Sequence, residues 1–261
     1  MKEYKVLVDA NILVAASILY TSSDFGLKHR DYVKCKTLIN FFKNNVDRKI
    51  GFYTKSIDIT SNRVLSDAIL NTIREVSQDN AQIDGEKLLG VFSVIYSESL
   101  RRLEENKDCL LRETVNEERI KKLMSDVLLF FHVYIKKEIE KQNPRHELER
   151  VKNIKATSWI LKMVKSAKFD EARRSFPHYG ILRRKFIESP PGSEDIELLS
   201  HAIYFNELYS KRDIQFYLVS MDHHFVEINK EGVINNFVPN FIENKWGVKC
   251  LNPEKIMEII K

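Results

Sequence analysis

The chain has 261 residues, of which 43% are hydrophobic and 30% charged; this composition is typical of a globular protein and excludes a disordered chain. Its formal net charge is +5, from 42 basic and 37 acidic residues, so a polyanionic partner is permitted but not required. The three cysteines are widely separated and odd in number, which argues against a disulfide framework and a cysteine-based zinc site.

The chain opens with a strand and a helix. The apolar run Tyr4–Val8 predicts a buried parallel strand that ends at Asp9. An apolar helix is predicted from Ala10 to Leu19, and a polar loop over residues 20–29. The N-terminus does not resemble a signal peptide, and no apolar stretch in the chain approaches the ~20 residues that cross a bilayer. We therefore predict a cytoplasmic protein.

A second helix and a second strand follow. The helix is predicted from Asp31 to Asn44, and the strand from Ile50 to Tyr53. This strand–helix–strand order indicates a parallel sheet with helices on its faces. The residues predicted to lie on the buried side of the helix are Val33, Leu38, Phe41 and Phe42.

The next part of the chain, from Ser56 to about Lys185, is compatible with helix almost throughout. Asn143-Pro144 is expected to end one of its helices, because the residue before a proline disfavours the α region. The run of residues 189–193, which contains two prolines and a glycine, then breaks the chain. We interpret the stretch as a helical block and not as a second α/β unit.

The α/β pattern returns after this break. Ser193 is predicted to cap a helix that runs from Glu194 to about Tyr209. A third strand is predicted from Ile214 to Ser220 and a fourth from Val248 to Leu251. Pro253 is expected at the first position of a terminal helix.

Three aspartates lie where their side chains are expected to meet. Asp9 directly follows the first strand, Asp222 follows the third strand by two residues, and Asp195 lies in the first turn of the preceding helix. Ligands of an open parallel sheet bind outside the carboxyl ends of its strands. Clustered carboxylates are costly to ionise together unless a cation compensates them. Hard oxygen ligands suit Mg²⁺ or Mn²⁺, and the natural chemistry is metal-assisted hydrolysis of a phosphodiester.

Four segments resemble the motifs of PIN domains, in the same order. Val6–Leu13 is similar to the opening motif, a hydrophobic strand followed by Asp, a small residue, and Ser or Asn. Asp195–Ala202 resembles the later motif, in which Ala follows an Asp by seven residues within a helix. Ser220–Phe225 matches the Thr/Ser-x-Asp-x-x-Phe signature, and Trp246–Pro253 is similar to the closing strand and helix.

This resemblance covers about residues 1–65 and 190–261, and it implies a three-layer α/β/α sandwich with a central parallel sheet. Residues 66–189 would then form a long helical insertion lobe. The resemblance also implies a nuclease, a metal-dependent endoribonuclease in which Asp9, Asp195 and Asp222 bind Mg²⁺ or Mn²⁺. Asn11 and Ser220 would orient the carboxylates or the attacking water.

The chain departs from the family pattern at one position. PIN nucleases usually carry a further acid in the first turns of the helix after the second strand, where this chain has Thr60. Asp58 lies two residues earlier, which turns it well away on a helix. Either Asp58 substitutes through a shifted helix start, or Glu194 or Glu197 takes over, or the site is weakened.

A basic segment precedes the later acids. The stretch from Arg150 to Lys185 contains many cations, opposed only by Asp170 and Glu171. It is either a solvated helix face or an arm that holds RNA. RNA is the predicted partner, no membrane is expected, and a homodimer is left open. The predicted RNA-binding residues are Lys162, Lys165, Arg173, Arg174, Arg183 and Arg184.

Each aspartate alone has a simpler explanation. Asp9 and Asp222 could close turns after strands, and Asp9 or Asp195 could serve a helix terminus. The adjacent histidines His223 and His224 are predicted to be surface or packing residues, because neighbouring side chains point in different directions.

Two other functions are compatible with parts of the sequence. The first is a degenerate PIN module that binds RNA or protein without cleaving, which Thr60 favours. The second is a haloacid-dehalogenase-type phosphatase, which would need a second Asp where this chain has Asn11. A dinucleotide-binding oxidoreductase is excluded, because no Gly-x-Gly-x-x-Gly follows the first strand.

Overall fold

The computed structural model describes residues 3–18, 29–79, 85–142, 192–222, 224–226, 229–230, 233–234 and 237–261. The chain forms two compact units, one of Met1–Thr114 with Asn206–Lys261 and one of Val115–Phe205. The predicted domain of residues 1–65 and 190–261 and the predicted insertion of residues 66–189 stay predictions, because compactness alone does not show where an insertion begins.

The first unit contains a sheet of five parallel strands in the order β3-β2-β1-β4-β7. The strands of this sheet are β1 (Tyr4–Val8), β2 (Gly51–Thr54), β3 (Leu111–Glu113), β4 (Gln215–Val219) and β7 (Lys249–Leu251). Two further strands, β5 (Asn229–Lys230) and β6 (Val233–Ile234), form a separate antiparallel pair.

Along the chain, helices lie between the successive strands of the five-stranded sheet. The first four are α1 (Ala10–Ser17), α2 (His29–Asn44), α3 (Lys55–Asp79) and α4 (Gly85–Lys107), with a 3-10 turn at Val46–Arg48. The others in the described part of the chain are α5 (Glu117–Gln142), α6 (Ser193–Ser210), α7 (Phe237–Trp246) and α8 (Pro253–Ile260). An all-parallel central sheet flanked by helices makes the fold a three-layer α/β/α sandwich, which confirms the predicted α/β class.

Strands β1 and β4 are neighbours in the middle of the sheet, and their carboxyl-terminal halves are buried. Val6, Leu7 and Val8 are fully buried, as are Leu218 and Val219 of β4. Both strands end in an apolar run, Val6–Val8 and Phe216–Val219, which is the pattern of parallel strands covered on both faces. They pair in parallel over their whole length, so that Val8 lies opposite Val219. Whatever follows these two residues therefore starts from the same edge of the sheet.

The ends of the C-terminal helices follow from their sequence. Helix α8 begins at Pro253, as predicted, and the side chain of Asn252 accepts a hydrogen bond from the backbone N–H of Lys255. Helix α7 ends at Trp246 and is followed by Gly247, whose φ of 70° is the left-handed conformation that glycine adopts at low cost. The predicted stop at Asn143-Pro144 lies outside the described residues, which reach Gln142 at this point.

Two predictions of local structure are wrong. Val33, predicted on the buried side of α2, is 48% exposed, because the buried stripe of that helix runs through Tyr32, Cys35 and Leu38. Strand β3 lies inside the stretch that is predicted to be helical almost throughout. It has only three residues and, among the described strands, pairs only with β2, so it leaves no periodic signal in the sequence.

Among the helices of the described residues, none is long and apolar enough to cross a membrane.

Candidate functional site at the carboxyl edge of the sheet

Asp9 and Ser220 are the first residues after the two central strands. Asp9 follows β1 and its backbone N–H donates to the carbonyl of Val219, at 3.1 Å. Ser220 follows β4 and its N–H donates to the carbonyl of Leu251, also at 3.1 Å. These bonds extend the pairing of the sheet by one residue and fix both residues side by side. The sheet thus places Asp9 and Ser220 at the edge where ligands of parallel sheets bind.

The hydroxyl group of Ser220 is the centre of the hydrogen-bond network at this edge. Its Oγ donates to Oδ2 of Asp9, at 2.6 Å. It accepts from Nδ2 of Asn11, at 3.2 Å, and from the backbone N–H of Asp222, at 2.9 Å. A hydroxyl group can donate once and accept twice, so these three bonds use its full capacity. Because Ser220 is fully buried, its hydroxyl group is shielded from water.

Asn11 makes a second connection between α1 and the loop after β4. Its Oδ1 accepts from the backbone N–H of Met221, at 3.3 Å, while its Nδ2 donates to Ser220. Both ends of the amide are therefore used to hold the loop that carries Asp222. The network is formed by residues about 210 positions apart in the chain.

The side chain of Asp9 does not act as a helix cap. Asp9 stands at the N-cap position of α1 with extended backbone, but its carboxylate makes no capping hydrogen bond to that helix. The carboxylate points instead to Ser220, and the residue is only 8% exposed. A buried carboxylate is costly unless something compensates its charge, and the N-terminus of α1 supplies part of that compensation. This geometry does not support the simpler explanation that Asp9 is a capping residue.

A tight turn follows and carries Asp222 and His224. The carbonyl of Asp222 accepts from the N–H groups of Phe225 and Val226, both at 3.0 Å. Phe225 and Val226 are buried and anchor the turn in the core. Oδ1 of Asp222 accepts from the backbone N–H of His224 at 2.7 Å, and it lies 2.9 Å from the imidazole Nδ1. The side chain of Asp222 stays 29% exposed, whereas that of His224 is 5% exposed.

The contact between His224 and Asp222 is the feature of this edge that the sequence reasoning missed. His224 is predicted to be a surface or packing residue, and the structure shows it buried with its ring against a predicted ligand. The signal that could have found it is the spacing Asp-x-His in the turn after a strand, which ends in a buried Phe. His223 lies outside the described residues.

Asp195, Glu194 and Glu197 belong to the second compact unit. Oδ2 of Asp195 accepts from the backbone N–H of Gly192, at 2.5 Å. This is the bond that an acid at the third helical position makes to the N-cap residue. It shows that Asp195 closes the first turn of α6, one of the two roles considered from the sequence. Its approach to Asp9 and Asp222 stays a prediction.

Glu194 and Glu197 lie in the first turns of α6, on either side of Asp195. Glu194 is exposed. Oε1 of Glu197 lies 3.9 Å from Nε2 of the buried His201. Burial lowers the pKa of His201 to about 4, so this histidine is neutral at pH 7 and forms no ion pair there. Whether Glu194 or Glu197 replaces the missing acid stays a prediction.

Asp58 faces a buried lysine. Its Oδ1 lies 2.7 Å from Nζ of Lys107, which also bonds Glu104 at 2.8 Å, and its Oδ2 lies 3.6 Å from Arg112. The side chain of Lys107 is only 3% exposed. Burial acts to lower the pKa of Lys107, but the bonds to Asp58 and Glu104 outweigh it and the pKa is raised. Asp58 therefore compensates a buried positive charge. Thr60, the aligned position, is partly exposed.

The predicted RNA-binding cations all lie outside the described residues, as does the rest of the basic segment. The roles assigned to Lys162, Lys165, Arg173, Arg174, Arg183 and Arg184 therefore stay predictions.

No family model, no curated protein and no solved structure matches this chain. The resemblance to PIN domains therefore rests on the sequence motifs alone.

Proposed function

We propose that the protein is a divalent-metal-dependent endoribonuclease whose reaction takes place at the carboxyl edge of β1 and β4. The observation that carries the proposal is the Ser220-centred network, which holds the buried carboxylate of Asp9 beside the loop that carries Asp222. A fully satisfied buried network makes its members rigid, so the carboxylate of Asp9 and the loop of Asp222 are held in one arrangement. The four PIN-like motifs support the same function.

The donor atoms at this edge fit a hard divalent ion. Asp9 and Asp222 supply carboxylate oxygens, one buried and one partly exposed, on neighbouring elements. Carboxylate oxygens suit Mg²⁺ and Mn²⁺, and a cation would compensate the buried charge of Asp9. Asp195 is proposed as a third ligand. The hydrogen bond that its Oδ2 accepts from the N–H of Gly192 fixes its side chain at the first turn of α6. A divalent ion bound there would supply Lewis acidity and an activated water for phosphodiester hydrolysis.

The chain's own residues would position the metal-binding carboxylates and hold the negatively charged RNA. Ser220 would hold the Asp9 carboxylate in one orientation, and Asn11 would hold the loop of Asp222 in register with it. In the reaction, a water oxygen attacks phosphorus, the bond from phosphorus to the 3′-oxygen breaks, and that oxygen leaves with a proton. The cations of residues 150–185 would hold the RNA backbone.

A cleavage assay with matched variants tests this function. Labelled single-stranded and structured RNA is incubated with Mn²⁺, Mg²⁺ or EDTA and with wild type, Asp222→Asn or Asp126→Asn. We expect metal-dependent cutting by wild type and by Asp126→Asn, whose exposed acid lies on α5, and no cutting by Asp222→Asn. Equal cutting by Asp222→Asn, or cutting that persists in EDTA, would contradict the proposal.

A second function is favoured by Thr60 and Asp58. The position of the further acid is a threonine, and the nearest acid in the chain is engaged by Lys107. A PIN-like module that lacks this further acid would bind RNA or protein without cleaving. Metal and RNA binding by wild type without any cutting is the result that would favour this function.

A further inference from the structure

The imidazole of His224 lies against the carboxylate of Asp222. Its Nδ1 is 2.9 Å from Oδ1 of Asp222, and both atoms belong to one short turn. The turn is held by the buried side chains of Phe225 and Val226, and the side chain of His224 is itself only 5% exposed, so it packs within the core. The ring is thus fixed beside a carboxylate for which a metal has been proposed.

The separation of the two atoms matches two ligands of a single ion. In an octahedral site with bonds of about 2.0–2.2 Å, neighbouring ligand atoms lie about 2.8–3.1 Å apart. In a tetrahedral site with the same bonds they lie about 3.3–3.6 Å apart. The observed 2.9 Å falls in the octahedral range. A hydrogen bond between Nδ1–H and the carboxylate has a similar length, so the distance alone allows both arrangements and the test must separate them.

We propose that His224 is a nitrogen ligand of the same metal ion as Asp222, so that the site prefers Mn²⁺ to Mg²⁺. The inference rests on the proposed function for the existence of a metal site, and it goes further by choosing between the two ions. Mg²⁺ is coordinated almost only by oxygen atoms, in a nearly regular octahedral arrangement. Imidazole nitrogen, in contrast, is a good ligand for first-row transition-metal ions. A mixed carboxylate and imidazole set therefore discriminates against Mg²⁺.

The test is a spectroscopic one made on the full chain. Electron spin-echo spectra of bound Mn²⁺ show nuclear modulation from a coordinated nitrogen, and ¹⁵N labelling of histidine alone identifies that nitrogen as imidazole. Affinities for Mn²⁺ and Mg²⁺ are measured in parallel by titration calorimetry. The variants are His224→Phe, which keeps the bulk of the buried ring, and His201→Phe, a matched change of another buried histidine.

We expect the imidazole signal in wild type and in His201→Phe, and its loss in His224→Phe. The ratio of Mn²⁺ to Mg²⁺ affinity should fall at least about tenfold in His224→Phe and stay unchanged in His201→Phe. If His224→Phe does not fold, His224→Asn serves instead, because it keeps a polar side chain and removes the labelled imidazole.

Two results would overturn the inference, and they differ in what they say about the proposed function. Mn²⁺ binding that Asp222→Asn abolishes, without an imidazole signal in wild type, would leave the metal site standing and remove His224 from its ligands. Failure of wild type to bind either ion would remove both the inference and the proposed nuclease.

Discussion

At the scale of single residues, the hydroxyl of Ser220 is the group on which most of the candidate site depends. Removing it in Ser220→Ala leaves Oδ2 of the buried Asp9 without its donor and the N–H of Asp222 without its acceptor. A buried polar group deprived of its partner costs about 1–3 kcal/mol, so we expect the free energy of unfolding to fall by about that amount. Chemical denaturation measures it, and RNA cleavage should fall in parallel.

The matched control is Ser200→Ala. Ser200 is equally buried, but its hydroxyl donates only to the carbonyl of Ile196 within the same helix. Such a bond adds little, and we expect a change within about 0.5 kcal/mol. Equal effects of the two substitutions would mean that Ser220 is an ordinary buried serine and not the centre of a network.

The ion pair of Asp58 and Lys107 predicts an asymmetric result. In Asp58→Asn, the buried ammonium group of Lys107 keeps Glu104 as its one charged partner among the described residues. In Lys107→Met, the carboxylates of Asp58 and Glu104 lose their shared partner, but both can reach water. Leaving a buried charge without its partner is the costlier change, about 3–5 kcal/mol when burial is complete. We therefore expect Asp58→Asn to lower the free energy of unfolding, measured by chemical denaturation, more than Lys107→Met does.

The same variant decides whether Asp58 is the missing acid of the site. As a control, Asp67→Asn breaks an exposed pair with Arg63 and should change stability by less than about 1 kcal/mol. If Asp58→Asn is no more destabilising than this control but weakens Mn²⁺ binding, then Asp58 is a ligand and its pairing with Lys107 is incidental.

At the scale of secondary-structure elements, Gly51 at the start of β2 shows how closely helices and strands approach. A Cβ atom at this position would lie 2.5 Å from Cδ2 of Leu110 and 3.2 Å from the ring of Phe42. We expect Gly51→Ala to be destabilising by about 1–3 kcal/mol, because both neighbours are buried and must shift. Thermal or chemical unfolding measures the effect.

Gly90 on α4 is the matched control, because a Cβ atom there would meet nothing within 4 Å. Alanine is the better helix former by about 0.5–1 kcal/mol, so Gly90→Ala should be stabilising. Destabilisation of similar size in both variants would contradict the packing argument for Gly51.

The elements that could be predicted are those whose signal lies within a few neighbouring residues. Local sequence is enough to predict β1 and β4 from their apolar runs, and the start of α8 from its proline. Strand β3 could not be predicted, because its three residues form a strand only by pairing with β2. The short helix α7 and the β5–β6 pair are not predicted from the sequence either, because neither has a long periodic pattern.

At the scale of the whole molecule, the sequence could place the acids at a strand end but could not give the contacts among them. That Asp9 and Asp222 follow central strands is visible in the motifs, and the parallel sheet then brings them to one edge. The role of Ser220 as donor to Asp9 depends on two residues 211 positions apart. The contact of His224 with Asp222 depends on how the turn packs against the core, and its trace in the sequence is the spacing Asp-x-His after a strand.

The whole-molecule prediction concerns Asp195, which lies in the other compact unit from Asp9 and Asp222. A ligand that binds only the folded chain stabilises it by RT ln(1 + [L]/Kd), about 2.7 kcal/mol at a hundredfold excess over Kd. For a chain of this length that corresponds to a rise in Tm of about 5–10 °C. We expect Mn²⁺ to produce such a rise in wild type and none in Asp222→Asn.

Asp195→Asn should lose the same Mn²⁺-induced rise if Asp195 is a ligand. Its Tm without metal should also fall slightly, because its bond to the N–H of Gly192 caps α6 and an amide oxygen is a weaker acceptor. The comparison must therefore be made on the shift with metal and not on the Tm itself, with Asp126→Asn as the variant that keeps the full shift. A lowered Tm combined with an undiminished shift would show that Asp195 is a helix cap and that the metal site is complete within the first unit.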